Sequence, residues 1–351
     1  MKPLITHKND ECAPFFQAFI RPERKILFIG TLGFNDLCLT FPRLLAQYLN
    51  VDYLFLIEER PDVAGILKQS AERNRVELTK ILAGRKISFE SIKIVADDTA
   101  NVAGRNATKV CEPLIKQGYT DVFVDASAAS RGVCFPVVKQ AYENAQADIK
   151  INAHVVMAGR AKEPLKAKSM SSDTPHYIHG FHGRMGTDEL HGVIKLWIPQ
   201  LSEGSIASLE RIHRELRPDE SCPILPFPVS NPRRGDVLLR EFERQITSEW
   251  DVNLLDIIYA HETDPTDVCR TIARIHKNRL QAFERSTFQP TETILSPAGS
   301  RIGSVGMVLA ALKLDLPIMY EESIGYSSEV SSLPDLSVGL PEHLWHVWIR
   351  P

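Results

Sequence analysis

The feature that most constrains the fold is a regular alternation of short, strongly apolar runs with longer segments of helical periodicity. Runs such as KILFIG and VDYLFLI are apolar at nearly every position, which is typical of strands that are covered on both faces. Strands that alternate with helical segments indicate βαβ units and a parallel sheet. The chain is therefore expected to fold as an α/β protein.

The alternation occurs twice along the 351 residues. In the first half, strands are predicted at residues 25–30, 51–57, 91–96, 121–125 and 152–158, and helices at 34–49, 61–82, 99–117 and 131–147. In the second half, strands are predicted at 192–201, 223–228, 254–260, 292–296 and 317–321, and helices at 204–216, 234–250, 265–283 and 301–314. The sequence thus predicts two consecutive Rossmann-like parallel-sheet halves, in agreement with a length of about two ordinary domains.

The predicted domains are an N-terminal Rossmann-like domain over residues 1–160 and a C-terminal one over 193–351. Residues 161–192 interrupt the alternation with histidines and glycines and are interpreted as a long connection or hairpin insertion. The aromatic segment 343–349 is expected to be a terminal strand or a packing clip.

Charge and composition exclude several classes of protein. A formal net charge of −3 supplies no basic field for long nucleic acids, so general DNA or RNA binding is not indicated. The sequence has no signal peptide and no apolar run long enough for a membrane span, which predicts a cytoplasmic protein. The six cysteines have neither CxxC pairs nor zinc-type spacing, and we interpret them as reduced, mostly buried thiols.

Ligands of open parallel sheets bind outside the carboxyl ends of the strands, where the strand order reverses. The first loop in such a place carries Thr31, Gly33 and Asn35, and its glycines permit a close approach of the backbone to an anion. The loop lacks the full GxGxxG pattern, so a dinucleotide is not supported and no cofactor is assigned. The alternative is a tight turn in which Asn35 or Asp36 caps the next helix.

The second loop, VDASAASRG, ends a strand in Asp125 and continues with Ser127 and Ser130 before Arg131 opens a helix. Hydroxyls and a bidentate guanidinium suit a phosphate. The alternative is that a serine caps the helix and Asp125 satisfies nearby backbone groups.

The third loop is its counterpart in the second half, SPAGSRIG. Its predicted ligand-binding residues are small or cationic, namely Ser296, Gly299, Ser300 and Arg301. Gly303 and Gly306 lower the stability of the following helix, which suggests that close packing or a ligand requires them.

These loops, VDASAASRG and SPAGSRIGSVGMVLAALKLDLPIMYEE, resemble the strand-end loops of CARF-family sensors, and the tandem arrangement is similar to SAVED domains. The resemblance implies Rossmann-like units that bind cyclic oligonucleotides in prokaryotic antiviral defence. It implies ligand contacts at Thr31, Gly33 and Asn35, and at Ser127, Ser130 and Arg131. The usual Thr-Gly-Gly-Thr-Lys string is absent, and an arginine stands in place of its lysine.

Three further segments carry candidate chemistry. Arg233 and Arg234, in a proline-rich loop, are phosphate-binding candidates or part of a surface turn. Glu262 and Asp267, like Asp125, are weak catalytic candidates as general bases or magnesium ligands, although an ordinary helix start explains the same residues. Histidines with nearby carboxylates suggest a metal site or a mobile polar loop, and we assign no metal to them: His176, His179, His182, His191, Asp188 and Glu189.

Three functions follow from these candidates. The first is a nucleotide-sensing subunit of an antiviral defence system, which binds a nucleotide and acts through a protein partner or effector from the same operon. The second is a non-catalytic scaffold subunit that contacts its partner through surface aromatics such as Trp345 and Trp348. The third is an enzyme that hydrolyses a nucleotide or a phosphorylated metabolite, with the arginines as electrostatic clamps.

Overall fold

The computed structural model describes residues 4–96, 100–147, 151–160, 163–183, 192–229, 231–286, 290–335 and 341–350. Its strands, in chain order, are β1 Ile5–Lys8, β2 Ile26–Thr31, β3 Val51–Glu59, β4 Asp62–Val63, β5 Ile87–Lys93, β6 Asp121–Asp125, β7 Asn152–Gly159, β8 Lys168–Ser171, β9 His176–Tyr177, β10 Ile194–Pro199, β11 Glu220–Ser221, β12 Ile224–Pro226, β13 Ile258–Ala260, β14 Thr291–Ser296, β15 Met319–Tyr320, β16 Ser323–Ser327 and β17 His343–Arg350.

The helices are α1 Cys12–Phe19, α2 Thr40–Leu45, α3 Gly65–Ile81, α4 Ala103–Ile115, α5 Arg131–Ala147, α6 Ile206–Leu216, α7 Arg234–Glu241, α8 Pro265–Ser286 and α9 Arg301–Leu314. The predicted bounds of α5 and α9 are confirmed. Among the helices of the described ranges, none combines the length and the apolar character that a bilayer crossing requires.

The chain divides into two compact units. The first unit comprises Met1–Ser171 and Glu322–Pro351, and the second comprises Ser172–Glu321. This differs from the predicted domains, because the C-terminal segment belongs to the first unit. Strand β17 pairs antiparallel with β7 and buries Trp345, Val347 and Ile349, so its apolar side chains complete the first sheet.

The first unit contains a seven-stranded sheet in the order β1-β17-β7-β6-β2-β3-β5. Strands β2, β3, β5, β6 and β7 are parallel to one another. At one edge β17 pairs antiparallel with β7, and β1 pairs antiparallel with β17. Taken in chain order, the parallel strands lie as third, second, first, fourth and fifth. The order therefore reverses between β2 and β6, both of which are buried along their whole length.

The second unit has the same order. Strand β10 pairs in parallel with β11 on one side and with β14 on the other. Single parallel bridges, Gln200 to Ile224 and Leu295 to Ile318, extend the sheet to the β12–β13 pair and to the start of β15. The order of the second unit reverses between β10 and β14. The predicted fold class, α/β with two Rossmann-like halves, is confirmed.

Some predicted elements differ in extent. The predicted strand 91–96 is displaced toward the N-terminus as β5, an edge strand whose burial mostly alternates. The predicted helix 34–49 is a 3-10 turn, Asp36–Leu39, followed by the short α2. The predicted helix 234–250 ends as α7 at Glu241, before a π-helical turn at Gln245–Glu249.

The segment predicted as one connection, 161–192, is divided between the units. Strand β8 joins a small sheet with β4 and β16 in the first unit, whereas β9 pairs with β15 in the second. Residues 161–162 and 184–191 lie outside the described ranges.

The cores are aromatic in both units. Phe28, Phe55 and Phe123 are fully buried in the first unit, and Trp197 and Phe242 in the second. The six cysteines are free thiols, of which all but Cys222 are buried. Trp345 is also buried and Trp348 packs on the ring of His154, so neither is the freely exposed aromatic that the scaffold hypothesis assumed.

Candidate functional site

The loop that follows β6 is held together by its own side chains. Asp125, at the end of the strand, is buried, and its carboxylate accepts hydrogen bonds from the backbone nitrogen (2.8 Å) and the hydroxyl (2.5 Å) of Ser127. The hydroxyl oxygen of Ser127 accepts a hydrogen bond from the backbone nitrogen of Ala158 (2.8 Å). Ser127 is fully buried and ties the loop to β7, which leaves it no surface for a ligand.

The start of α5 already has an anion beside it. The backbone nitrogen of Ser130 donates a hydrogen bond to Oε1 of Glu58 (2.8 Å), which lies near the end of β3. A carboxylate is favourable at a helix N-terminus because the first backbone N–H groups and the helix dipole carry positive charge. Glu58 therefore occupies the position that the sequence predicts for a phosphate.

Two more charged side chains complete this arrangement, which we call the Glu58–Arg60–Glu322 cluster. Arg60 lies 2.5 Å from Glu58 and 3.2 Å from Glu322, and the side chains of Arg60 and Glu322 are 2% and 1% exposed. A Cβ atom at Gly132 would overlap Oε2 of Glu322, so only glycine admits this carboxylate against the first turn of α5. Sequence reasoning missed Glu58, Arg60 and Glu322.

Burial controls the protonation of the cluster. The pKa of Glu322 is raised to about 7, chiefly because burial removes its hydration; Arg60 opposes this rise and Glu58 adds to it. Within the described residues, Oε2 of Glu322 and Nη1 of Arg60 are buried without a hydrogen-bond partner.

The predicted loop after β2 is also engaged internally. The side chain of Asn35 accepts a hydrogen bond from the backbone nitrogen of Leu37 (3.0 Å), which is the capping alternative. The buried Arg160 side chain forms an ion pair with Asp36 beside it. The carbonyl oxygen of Gly33 accepts a hydrogen bond from Asn74 (2.9 Å).

Two further polar side chains, Thr31 and Ser130, lie near the reversal of strand order between β2 and β6. Thr31 ends β2 and is buried, and Ser130 immediately precedes α5. Within the described residues, neither hydroxyl has a hydrogen-bond partner.

In the second unit, the loop after β14 brings Ser300 and Arg301 to the start of α9. Ser300 caps this helix, because its hydroxyl oxygen accepts a hydrogen bond from the backbone nitrogen of Gly303 (3.1 Å). The same hydroxyl donates to the carbonyl oxygen of Glu262 (3.0 Å). Ser296 lies deeper and accepts a hydrogen bond from the indole of Trp197 (2.9 Å), so it belongs to the core.

The amide of Gln200 lies against this loop. Gln200 directly follows β10 and is 5% exposed. A Cβ atom at either Gly299 or Gly303 would overlap its side chain, so the two glycines form a cradle for the amide. Oε1 of Gln200 has no hydrogen-bond partner among the described residues. Sequence reasoning missed Gln200. The sequence signal that could have identified it is its position directly after β10, the first strand of the second unit.

A partly buried ion pair lies beside the cradle. Arg234, the first residue of α7, pairs with Glu262, and Glu203 lies 3.8 Å from Nε of Arg234. The side chain of Glu262 is 8% exposed and that of Arg234 is 32% exposed. Arg233 is exposed, and its backbone nitrogen bonds to Asn231 (3.1 Å). We call Gln200, Arg234, Glu262, Gly299, Ser300, Arg301 and Gly303 the second-unit switch site.

The other catalytic candidate in this unit has a structural partner. The carboxylate of Asp267 accepts a hydrogen bond from the backbone nitrogen of His261 (2.9 Å). Asp264 caps α8 by accepting from the backbone nitrogen of Thr266 (2.8 Å). These contacts are typical of an ordinary helix start, which was the alternative to a catalytic or magnesium-binding role for this loop.

The described residues contain no group of three or more histidine, cysteine, aspartate or glutamate side chains placed to hold a metal ion. His176, His179 and His182 are among the residues searched. His191, Asp188 and Glu189 lie outside the described ranges.

A series of histidines that the sequence did not single out crosses the first sheet. Nδ1 of His7 lies 3.0 Å from Nδ1 of His346, whose Nε2 lies 2.9 Å from Nδ1 of His154. Nε2 of His154 lies 3.3 Å from Asp121, which pairs with Arg24 (3.0 Å). Burial lowers the pKa of each of these three histidines. The series lies at the opposite end of β6 from the predicted loop, because Asp121 is its first residue.

Comparisons with known proteins give no family for this chain. No protein-family model matches it, and no curated protein matches it in sequence. Among solved structures, the PKMT2 protein from Rickettsia typhi matches with a TM-score of 0.23 and 9% identity, over 88% of this chain and 51% of that protein. The chain thus spans about half the length of that protein, and a TM-score this low carries no argument about fold or function.

Proposed function

We propose that this protein binds a nucleotide and that the second-unit switch site holds the nucleotide's phosphate. One observation carries the proposal. Where the strand order reverses, the amide of Gln200 and the first turn of α9 meet at two glycines that leave no room for a side chain. The hydroxyl of Ser300 ties this turn to the backbone of Glu262, whose side chain pairs with Arg234. Ligands of open α/β sheets bind at this position, and a helix N-terminus favours a phosphate there.

Charge favours the second unit over the first. Around the loop after β6, Arg60 and Arg131 stand against the carboxylates of Asp125, Glu58 and Glu322. A phosphate there would lie among buried negative charges, which repel it strongly because the surroundings are poorly polarisable.

Around the loop after β14, Arg234 and Arg301 are accompanied by the exposed Arg233, against Glu203 and Glu262. The groups that touch the glycines there are an amide and a hydroxyl, both neutral. The atoms nearest these glycines therefore include no carboxylate oxygen, in contrast to Gly132 in the first unit, which lies against Glu322.

The resemblance to CARF and SAVED domains extends the proposal. By that resemblance the ligand is a cyclic oligonucleotide, and the protein is a sensor in prokaryotic antiviral defence that acts through an effector from the same operon. The capping contacts of Asp264 and Asp267 and the pairing of Glu262 with Arg234 favour binding over hydrolysis.

Calorimetric titration of the full chain tests the proposal. The probes are ATP, GTP and cyclic di-, tri- and tetranucleotides. At least one probe should bind, and Arg301→Gln should weaken it about tenfold or more, since a charge-assisted hydrogen bond contributes about 1.5–3 kcal/mol. Arg131→Gln is the matched control, because it changes the corresponding residue in the first unit and should leave the affinity unaltered. The absence of heat and of a melting shift with every probe would refute the proposal.

A further inference from the structure

We infer that Phe227 is a stacking platform for a nucleobase of the ligand that the second-unit switch site binds. Phe227 directly follows β12, and its backbone nitrogen donates a hydrogen bond to the carbonyl oxygen of Ala260 (2.8 Å). The backbone is thus fixed to the neighbouring strand, whereas the side chain is 62% exposed. The inference rests on the proposed function and names a second part of the same site.

A second exposed aromatic ring lies beside it. Tyr259 in β13 is 54% exposed, and its ring centroid lies 6.1 Å from that of Phe227, with an interplanar angle of 78°. Because the rings meet edge to face, they do not stack on each other, and Phe227 keeps most of its surface in water. A base that stacks there removes apolar ring surface from water and adds the attraction between two π-systems.

Two hydrogen bonds connect the loop that carries Phe227 to the helix start where the phosphate is proposed to bind. The carbonyl oxygen of Pro228, the next residue, accepts a hydrogen bond from the backbone nitrogen of Glu262 (3.2 Å). The carbonyl oxygen of Glu262 in turn accepts one from the hydroxyl of Ser300 (3.0 Å). Both bonds are made by the backbone of Glu262, so the carbonyl oxygen of Pro228 lies within about 10 Å of the Ser300 hydroxyl by standard backbone dimensions.

Ser300 and Phe227 lie where the phosphate and the base of one bound nucleotide would be held. Ser300 caps the helix start that suits a phosphate, and Phe227 follows the second strand of the same sheet. Both lie beyond the carboxyl ends of parallel strands, where ligands of such sheets bind. A nucleotide with its phosphate at α9 can therefore extend across the ends of β10 and β12 and place its base on Phe227.

Paired probes test the inference. ATP carries phosphates and a base, whereas tripolyphosphate carries the phosphates alone. Phe227→Leu keeps the apolar bulk and removes the aromatic ring, so it should weaken ATP binding by about fivefold to a hundredfold and leave tripolyphosphate binding unchanged. Leu255→Ala is the control, because it changes a side chain that is 91% exposed and not aromatic. Phe227→Trp should retain ATP affinity, and ATP should quench the fluorescence of the new indole.

The outcomes separate this inference from the proposed function. If the original protein binds ATP and tripolyphosphate equally well and Phe227→Leu alters neither, the phosphate site stands and the base platform is wrong. If Phe227→Leu weakens both probes alike, the ring acts through the loop structure and the inference is also wrong. If neither these probes nor cyclic triadenylate binds the original protein, both proposals fall.

Discussion

The two sheets of this protein share one strand order but differ in what lies where that order reverses. In the first unit, Glu58 and Glu322 lie against the start of α5 and Arg60 joins them. In the second, the amide of Gln200 lies against the start of α9. The same topology therefore produces one edge with carboxylates against its helix start and one edge with a neutral amide there, and on this difference we base the proposal that the second edge is the anion site.

The difference depends on a few residues that come from distant parts of the chain. Glu322 directly precedes β16, and Arg60 follows β3, so their pairing needs the C-terminal segment to return to the first unit. In the second unit, Gln200, Ser300 and Glu262 lie on loops of one sheet. An ion cluster of this kind is a structural feature of the first unit, because Glu58 and Glu322 share the single guanidinium of Arg60 and leave no positive charge for an anion.

The largest expected effect comes from breaking the ion cluster. Arg60→Met leaves two buried carboxylates unpaired and should lower the free energy of unfolding by about 3–5 kcal/mol. Arg234→Met is the corresponding change in the second unit. It should lower the free energy by less, about 1–3 kcal/mol, because that arginine is partly exposed. Hydrogen exchange read by mass spectrometry reports each unit separately; equal losses for the two variants would contradict the comparison.

The fold was largely predictable from the sequence, whereas the closure of the first site was not. Strands such as β2 and β6 are buried on both faces, and their continuous apolar runs predict this burial from the sequence alone. The place of β17 was missed because antiparallel addition to a remote sheet leaves no local signal. In the sequence, Glu58 and Arg60 have the pattern of an ordinary polar strand end. Their role depends on Glu322, which is brought to Arg60 only by the fold.

The site residues divide in the same way. Ser300 lies at the start of α9, as the small residues after a strand predicted, and its hydroxyl caps that helix; its role as a ligand contact stays a prediction. The sequence equally predicted Ser127, and its hydroxyl is buried in contacts with Asp125 and Ala158. Hydroxyls that cap a loop and hydroxyls that face a ligand have the same sequence pattern, and only the packing around them distinguishes the two.

The next effect is the dependence of stability on pH that the ion cluster confers through Glu322. Its pKa is about 7 in the folded protein and near 4.5 when unfolded, so between these values only the folded state holds the proton. Stability through this group therefore falls as the pH rises from about 4.5 to 7, by up to about 1.4 kcal/mol per pH unit. Glu322→Gln should remove this dependence.

The measurement is the difference in the free energy of unfolding between Glu322→Gln and the original protein from pH 5 to 8. The difference should grow with pH up to about 7 and then stay constant. Lowered pKa values of His154 and His346 act in the opposite sense, because their unfolded forms take up protons below about 6.5. Both proteins contain these histidines, so their contribution cancels. A difference that is flat over the whole range would show that Glu322 stays ionised.

The smallest expected effect concerns the glycine cradle of the second unit. Gly303→Ala places a methyl group where the amide of Gln200 lies, and overpacking of this kind costs about 1–3 kcal/mol. The double variant Gln200→Ala/Gly303→Ala should recover most of that loss, because the space left by the amide accommodates the methyl group and alanine favours the helix. Urea unfolding measures both variants. Failure of the second substitution to recover stability would mean that Gly303 is required by something other than Gln200, and the cradle would no longer distinguish this edge from the one closed by Glu322.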